Sequence, residues 1–94
     1  MEKIKRLHLL VYGLVQGVFF RVYTEETANS LDLKGWVKNC ADESVEILAE
    51  GREGNLKKLL DFARKGPPRA RVTDVKFEWA EPTDEFDGFC TKYD

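Results

Sequence analysis

The sequence has little of the chemistry that disulfide-rich or metal-binding proteins depend on. Its 94 residues include two cysteines, one histidine and one methionine. Cys40 and Cys90 lie far apart and form no C-x-x-C pattern, so neither a metal-binding cysteine pair nor a disulfide framework is indicated. His8 alone cannot build a multi-histidine metal site. We therefore expect two thiols in a reducing, cytoplasmic compartment, and no bound metal.

The sequence also has no surplus of basic residues, and we expect neither a leader nor a membrane span. Charge runs directly into the first apolar segment through Lys3, Lys5 and Arg6, leaving no apolar leader core. No apolar run approaches the length that crosses a bilayer. The formal net charge is −2, and nucleic-acid binding favours a basic surface. We expect neither a membrane nor a nucleic-acid partner, and any basic site must be local, which suits a small anion.

What is present is a regular alternation of strand and helix patterns. The hydrophobic content of 43% is sufficient for one compact core, so residues 1–94 are expected to form a single domain. Apolar residues recur at every second position in the expected strands and at helical spacing in the expected helices. The strands are predicted near residues 4–12, 35–40, 44–50, 75–79 and 89–93, and the helices near residues 20–31 and 56–65. The predicted fold class is α+β, a ferredoxin-like α/β sandwich (βαββαβ) with an antiparallel sheet and two helices on one face.

Other features refine this prediction. Gly66, followed by two prolines, is expected to end the second helix. Glu25 and Glu26 are interpreted as lying near the start of the first helix, at the positive end of its dipole. The aromatic residues are expected to lie mainly in the core; they are Trp36, Phe77, Trp79 and Phe89.

Residues 13–21 are the segment most informative about function. They link the first strand to the first helix, and their two glycines allow a tight turn with inward N–H groups. Arg21 follows where the helix begins. Inward N–H groups, a helix N-terminus and a guanidinium together suit a phosphate-sized anion. From spacing alone, an ordinary strand-to-helix turn explains the segment equally well, and no Gly-Lys-Ser/Thr sequence marks a nucleotide-binding P-loop.

RNA-binding and metal-carrying relatives of this fold class fit poorly. An RNA-recognition motif stacks bases on aromatic residues of its central strands, whereas the strand at residues 44–50 carries Glu46 and Glu50 and no aromatic residue. The segment from Gly51 to Gly54 has KH-like spacing, but it follows a strand and contains Glu53, which would repel phosphate. Metal chaperones of this fold would need paired cysteines in the first loop.

Three motifs resemble the acylphosphatase family, and the similarity covers nearly the whole chain. The first signature corresponds to Gly13-x-Val15-Gln16-Gly17-Val18-x-Phe20-Arg21. The second corresponds to Gly35-Trp36-Val37-Lys38-Asn39, followed by Val45 and Gly51. Gly66-Pro67-Pro68, with Ala70 and Val72, resembles the family's link between the second helix and the fourth strand.

The resemblance implies an enzyme that hydrolyses acyl phosphates to a carboxylate and inorganic phosphate, without metal, cofactor or covalent intermediate. Arg21 would bind the phosphate and Asn39 would hold the attacking water. The backbone cradle implied for the phosphate is formed by Gln16, Gly17, Val18, Phe19, Phe20 and Arg21. The expected partners are a small acyl phosphate and inorganic phosphate, and the protein is expected to be a monomer. The alternative is a non-catalytic phosphate-binding or interaction module of the same fold.

Two residues depart from the family pattern at positions where glycine is usual. Glu43 lies in the turn after Asn39, where a left-handed conformation costs glutamate more than glycine. A shift of this turn toward Asp42 is therefore an open expectation. Asp32 lies at the end of the first helix, where aspartate tolerates left-handed geometry at a small cost.

Overall fold

The fold alternates strands and helices as the sequence patterns predict. A computed structural model describes residues 3–93. Its elements are β1 (Ile4–Leu14), α1 (Phe20–Ser30), β2 (Lys34–Asn39), β3 (Val45–Arg52), α2 (Glu53–Lys65), β4 (Arg71–Ala80) and β5 (Phe89–Lys92). The predicted order and the α+β sandwich are confirmed. The Gly51–Gly54 segment is the direct passage from β3 into α2, as its position after a strand predicts.

The sheet is mixed rather than wholly antiparallel. Its strand order is β4-β1-β3-β2-β5, and the pairs among the first four strands are antiparallel. β5 pairs in parallel with β2, with Phe89 opposite Gly35. The pairs among β1 to β4 thus confirm the predicted antiparallel βαββαβ sheet. The pairing of the last strand was left open by the sequence, and β5 is parallel to β2 because the chain crosses from the β4 edge to the opposite edge before β5 begins.

Alternation along the central strands places the core between sheet and helices. Leu7, Leu9 and Val11 of β1 are fully buried. α2 covers them with a stripe at helical spacing that includes Leu56 and Leu59. Full burial of each such side chain contributes about 1.5–3 kcal/mol, so this layer contributes substantially to the stability of the fold.

Two of the four aromatic residues expected in the core are not there. Phe89 is buried and Trp79 packs against the core. Phe77 is 43% exposed, with the Arg64 guanidinium 5.4 Å from its ring centroid. Trp36 lies next to buried Val37 and so points to the face away from the helices, because successive strand residues alternate between faces. Alternation along a strand thus shows which residues share a face, but it does not show which face the helices cover.

The ends of both helices follow the predicted turn chemistry. Gly66 ends α2 with a φ of 74°. Asp32, just after α1, has a φ of 57°, which confirms the left-handed conformation expected there.

The β4-to-β5 crossover is fastened to the sheet by a buried carboxylate. Glu50 is 6% exposed and accepts hydrogen bonds from the N–H groups of Thr83 and Asp84 at 2.8 and 3.0 Å. Arg6 Nε donates to the same carboxylate at 2.8 Å. Burial opposes ionisation, but these donors outweigh it and hold the pKa of Glu50 below its ordinary value.

Two further findings concern the membrane and the thiols. Within residues 3–93, none of the helices combines the length and apolar character needed to cross a bilayer. Cys40 and Cys90 are both free thiols in the structure.

Candidate active site

The loop between β1 and α1 has a backbone shape that only a few residues adopt easily. Gly17 has a φ of 74° and Phe19 a φ of 62°, both in the left-handed region. Alternation of left- and right-handed residues turns successive N–H groups toward a common concavity. Within residues 3–93, the backbone N–H groups of residues 16–19 donate to no backbone acceptor. The loop therefore presents unpaired donors at the start of α1.

Gly13 allows β1 to bend into this loop. The β1–β4 register shifts between Tyr12 and Gly13, and Gly13 has a φ of 121°. A Cβ atom at this position would overlap the backbone carbonyl of Arg71 on β4. Glycine is thus required both for the conformation and for the close approach of the two strands.

Among the described residues, no acidic side chain compensates the positive end of the helix dipole at the N-terminus of α1. Its first turn contains no acidic residue, and Phe19 at the N-cap provides no side-chain cap. Glu25 and Glu26 lie beyond this turn, so the prediction that they serve the helix dipole is wrong. Glu25 instead accepts a hydrogen bond from Thr91 Oγ1 at 2.6 Å, which fastens β5 to α1. The helix dipole thus remains available to an external anion.

Arg21 and Asn39, distant in sequence, line the same pocket. Its volume is about 220 Å³. Arg21 lies in the first turn of α1, and Asn39 is the last residue of β2. The complete lining is Val15, Gly17, Phe19, Phe20, Arg21, Val22, Asn39, Thr91 and Tyr93. The structure thus brings four of the six predicted cradle residues together with the predicted asparagine.

Gln16 and Val18 are the two predicted cradle residues outside that lining. The Nε2 atom of Gln16 donates to the carbonyl oxygens of Cys40 and Ser44, each at 2.9 Å. The side chain thereby ties the loop to the turn that follows Asn39. Two hydrogen bonds from one amide fix the distance between the loop and the β2–β3 hairpin, a role that the sequence alone did not suggest.

The β2–β3 turn keeps glutamate in the left-handed position. Glu43 has a φ of 72°, so the turn has not shifted to Asp42. Asp42 stabilises it differently, by accepting hydrogen bonds from the Oγ and N–H groups of Ser44 at 2.5 and 3.1 Å. These bonds lower the pKa of the Asp42 carboxyl. The turn thus holds Glu43 in a left-handed conformation at the cost of backbone strain.

β5 and the residue that follows it supply two pocket residues that the sequence analysis missed. Thr91 and Tyr93 line the pocket, and the Arg21 guanidinium carbon lies 4.9 Å from the centroid of the Tyr93 ring. A cation held over an aromatic face restricts the rotamers of the arginine. The alternation of Phe89, Thr91 and Tyr93 was visible in the sequence, but the parallel pairing that places them beside β2 was not.

The electrostatic character of this pocket favours an anion. Its described lining contains one cation, Arg21, and no carboxylate, imidazole or thiol. A larger cavity of about 440 Å³ at the opposite end of the sheet has a mixed lining, with the carboxylates of Asp32, Glu50 and Asp84 beside the cations of Lys34 and Arg52. Among residues 3–93, no group of three or more His, Cys, Asp or Glu side chains is placed to hold a metal ion.

Comparison with known proteins identifies the family. The acylphosphatase family matches residues 7–91. The chain is 47% identical to an acylphosphatase of Marinobacter nauticus over 90 residues, covering 96% of this chain and 98% of that protein. It is 46% identical to an acylphosphatase of Geotalea uraniireducens over 88 residues, covering 94% and 97% of the two chains.

A solved structure agrees in fold as well as sequence. The crystal structure of acylphosphatase from Bacillus subtilis superposes with a TM-score of 0.91 at 35% identity, covering 97% of this chain and 100% of that one. The likeness therefore extends across the sheet, both helices and the loop that forms the pocket.

Proposed function

The chain belongs to the acylphosphatase family, and from this premise we propose that it hydrolyses acyl phosphates to a carboxylate and inorganic phosphate without a metal ion. The observation that carries the proposal is the convergence of Arg21, Asn39 and the N-terminus of α1 on one pocket. An anion-binding group, a water-binding group and unpaired N–H donors are the parts that phosphoryl transfer needs.

Arg21 is proposed to bind the phosphoryl group. A guanidinium can donate two parallel hydrogen bonds to two phosphate oxygens, which fixes orientation as well as charge. The backbone N–H groups of residues 16–20 would contact the equatorial oxygens as negative charge spreads over them in the transition state. Since these donors are held by the loop before substrate arrives, little reorganisation is needed during the reaction.

Asn39 is proposed to position the attacking water. A carboxamide can accept one hydrogen bond from water and donate another, which defines the direction of the water lone pair. An amide is a poor base, so this role is orientation rather than proton abstraction. Gln16 supports the role because its side chain holds the turn that begins after Asn39.

The reaction needs no acid from the protein. The water oxygen forms a new bond to phosphorus, and the bond from phosphorus to the acyl oxygen breaks with its electron pair leaving as a carboxylate. That leaving group is stable without protonation, and the water proton can pass to a phosphate oxygen of the substrate. The absence of carboxylate, imidazole and thiol groups from the described pocket lining is consistent with this chemistry.

We propose that the protein works as a monomer. The free thiols of Cys40 and Cys90 are compatible with the cytoplasm, where acyl phosphates would be the substrate and inorganic phosphate the product and competing ligand.

The proposal is tested by phosphate release from acetyl phosphate and from benzoyl phosphate, measured with a chelator present. Turnover that persists in the chelator and is inhibited by inorganic phosphate is expected. Binding of phosphate without turnover would instead indicate a non-catalytic module. Turnover that depends strictly on added magnesium would contradict the metal-free mechanism.

A further inference from the structure

A second pocket lies directly beside the phosphate pocket. It has a volume of about 240 Å³ and is lined by Val18, Phe19, Tyr23, Pro68 and Arg69. Phe19 also lines the phosphate pocket, so the two spaces share one wall. We call this second space the acyl pocket, for the reasons that follow.

The two pockets lie on opposite sides of the cradle. Asn39 ends β2, and Thr91 and Tyr93 belong to the β5 side of the sheet. Pro68 and Arg69 lie in the connection from α2 to β4, and β4 is the opposite edge strand. β1, from which the cradle loop emerges, lies between those edges.

In-line displacement determines which side of the cradle holds the attacking water and which side holds the leaving acyl group. The attacking water and the leaving oxygen must lie roughly in line through phosphorus. If Asn39 holds the water on the β2 side, the leaving acyl group extends toward the β4 side. The acyl pocket is the space found there.

The exposure of Phe19 gives further support. Its φ of 62° belongs to the left-handed turn that points the cradle N–H groups inward, but its side chain is 65% exposed. The ring is therefore not buried in the core, and it lines both pockets. An exposed aromatic ring in this position is available for contact with a ligand.

The composition of the acyl pocket indicates the group it would bind. Phe19 and Tyr23 offer ring surfaces, Pro68 offers an apolar ring, and Arg69 offers a planar guanidinium that stacks on aromatic faces. We propose that the acyl pocket binds the aromatic ring of an aromatic acyl phosphate, which makes Tyr23 and Arg69 specificity-determining residues. This inference rests on the proposed hydrolysis of acyl phosphates.

The test compares kcat/KM for benzoyl phosphate with kcat/KM for acetyl phosphate, whose methyl group is too small to fill the acyl pocket. The ratio of the two values cancels any effect on phosphate binding or on long-range attraction of the shared anionic group. Tyr23→Ala and Arg69→Ala are each expected to lower the ratio about fivefold, as for the loss of an aromatic or cation–π contact. The loss should appear mainly in KM for benzoyl phosphate.

Arg71→Ala is the matched control. Arg71 is exposed, carries the same charge two positions further along the chain, and lines neither pocket. It should leave the ratio unchanged. An unchanged ratio in Tyr23→Ala and Arg69→Ala, or an equal fall in Arg71→Ala, would overturn the acyl pocket while hydrolysis of acetyl phosphate still stood. Failure of the unmodified protein to hydrolyse either substrate would refute the proposed function and the acyl pocket with it.

Discussion

The two ends of the sheet treat polar groups in opposite ways. At one end, Glu50 binds Arg6 and the N–H groups of Thr83 and Asp84, so that a buried charge is almost fully satisfied. At the other end, the loop before α1 leaves its N–H groups without backbone partners in the described chain and holds Phe19 in a strained conformation.

The difference separates stability from function. Satisfied charges inside a structure hold its parts together, and removal of one partner leaves the other buried and costly. Unsatisfied donors at a surface pocket contribute little to stability, but they bind a ligand without first breaking bonds to the protein. The same substitution should therefore have different consequences at the two ends.

The largest effect is expected from Arg21→Ala. Removal of the only cation in the described pocket lining should lower kcat/KM for acetyl phosphate about a thousandfold, in the range seen for arginines that stabilise phosphoryl transfer. The free energy of unfolding should change little. Steady-state kinetics and urea denaturation measure the two quantities.

Arg6→Ala is the counterpart at the other end. It should retain kcat while losing about 2–3 kcal/mol of stability, because it removes a charged hydrogen bond to buried Glu50. If Arg21→Ala keeps its affinity for phosphate, or Arg6→Ala loses turnover as severely, the division between the ends fails.

Asn39→Ala should have the next largest effect, and a selective one. Loss of the water-positioning group is expected to lower kcat about a hundredfold, while the affinity for inorganic phosphate changes less than threefold. Measurement of kcat together with the inhibition constant for inorganic phosphate separates the loss of turnover from any loss of phosphate affinity. Equal losses in both quantities would argue against a role in water positioning.

Acid should weaken the interactions of Glu50 at its end of the sheet. The pKa of Glu50 is lowered by folding, so its contribution to stability is present above the unfolded pKa of about 4.3 and is lost as pH falls through the folded pKa. Glu50→Gln should remove this part of the pH dependence. Urea midpoints between neutral pH and about pH 3 measure it. An acid dependence identical to that of the unmodified protein would exclude Glu50 as its source.

The smallest effect is expected from Glu43→Gly. Relief of the left-handed strain, offset by glycine entropy, should raise the free energy of unfolding by about 0.5–1 kcal/mol. Since Glu43 lines neither pocket, kcat should be unchanged. Asp32→Gly, also at positive φ, is the matched control and should gain less, because aspartate tolerates this region better. A loss of stability in Glu43→Gly would show that the side chain has a role in the turn.

Local pattern was enough to predict most of the fold. Alternation identified β1 and β3, helical spacing identified α2, and Gly66 marked its end. These features depend on residues near one another in sequence. The pairing of β5 could not be predicted because the position of β5 depends on how the chain crosses from β4, which no local pattern contains. Trp36 and Phe77 were expected in the core because a local pattern shows neither which face of a strand the helices cover nor which strand lies at the edge of the sheet.

The candidate site was predictable where it lies within a motif and not where it depends on packing. Arg21 and Asn39 were singled out from their signatures, and the structure places both in one pocket. Three contacts of the site join segments that are distant in sequence. Gln16 donates to the hairpin, Tyr93 contacts Arg21, and Glu25 accepts a hydrogen bond from Thr91 of β5. Such contacts require the tertiary structure.

The central claim is that phosphate binds to the loop amides and Arg21, and the most direct measurement is a titration of the amide proton–nitrogen NMR spectrum with inorganic phosphate. Saturable shifts are predicted for the N–H signals of residues 16–22, with signals near Thr83 and Asp84 unmoved, and the Arg21→Ala variant should lose the response. Shifts centred on the Glu50 end of the sheet, or an unaltered response in Arg21→Ala, would contradict the account.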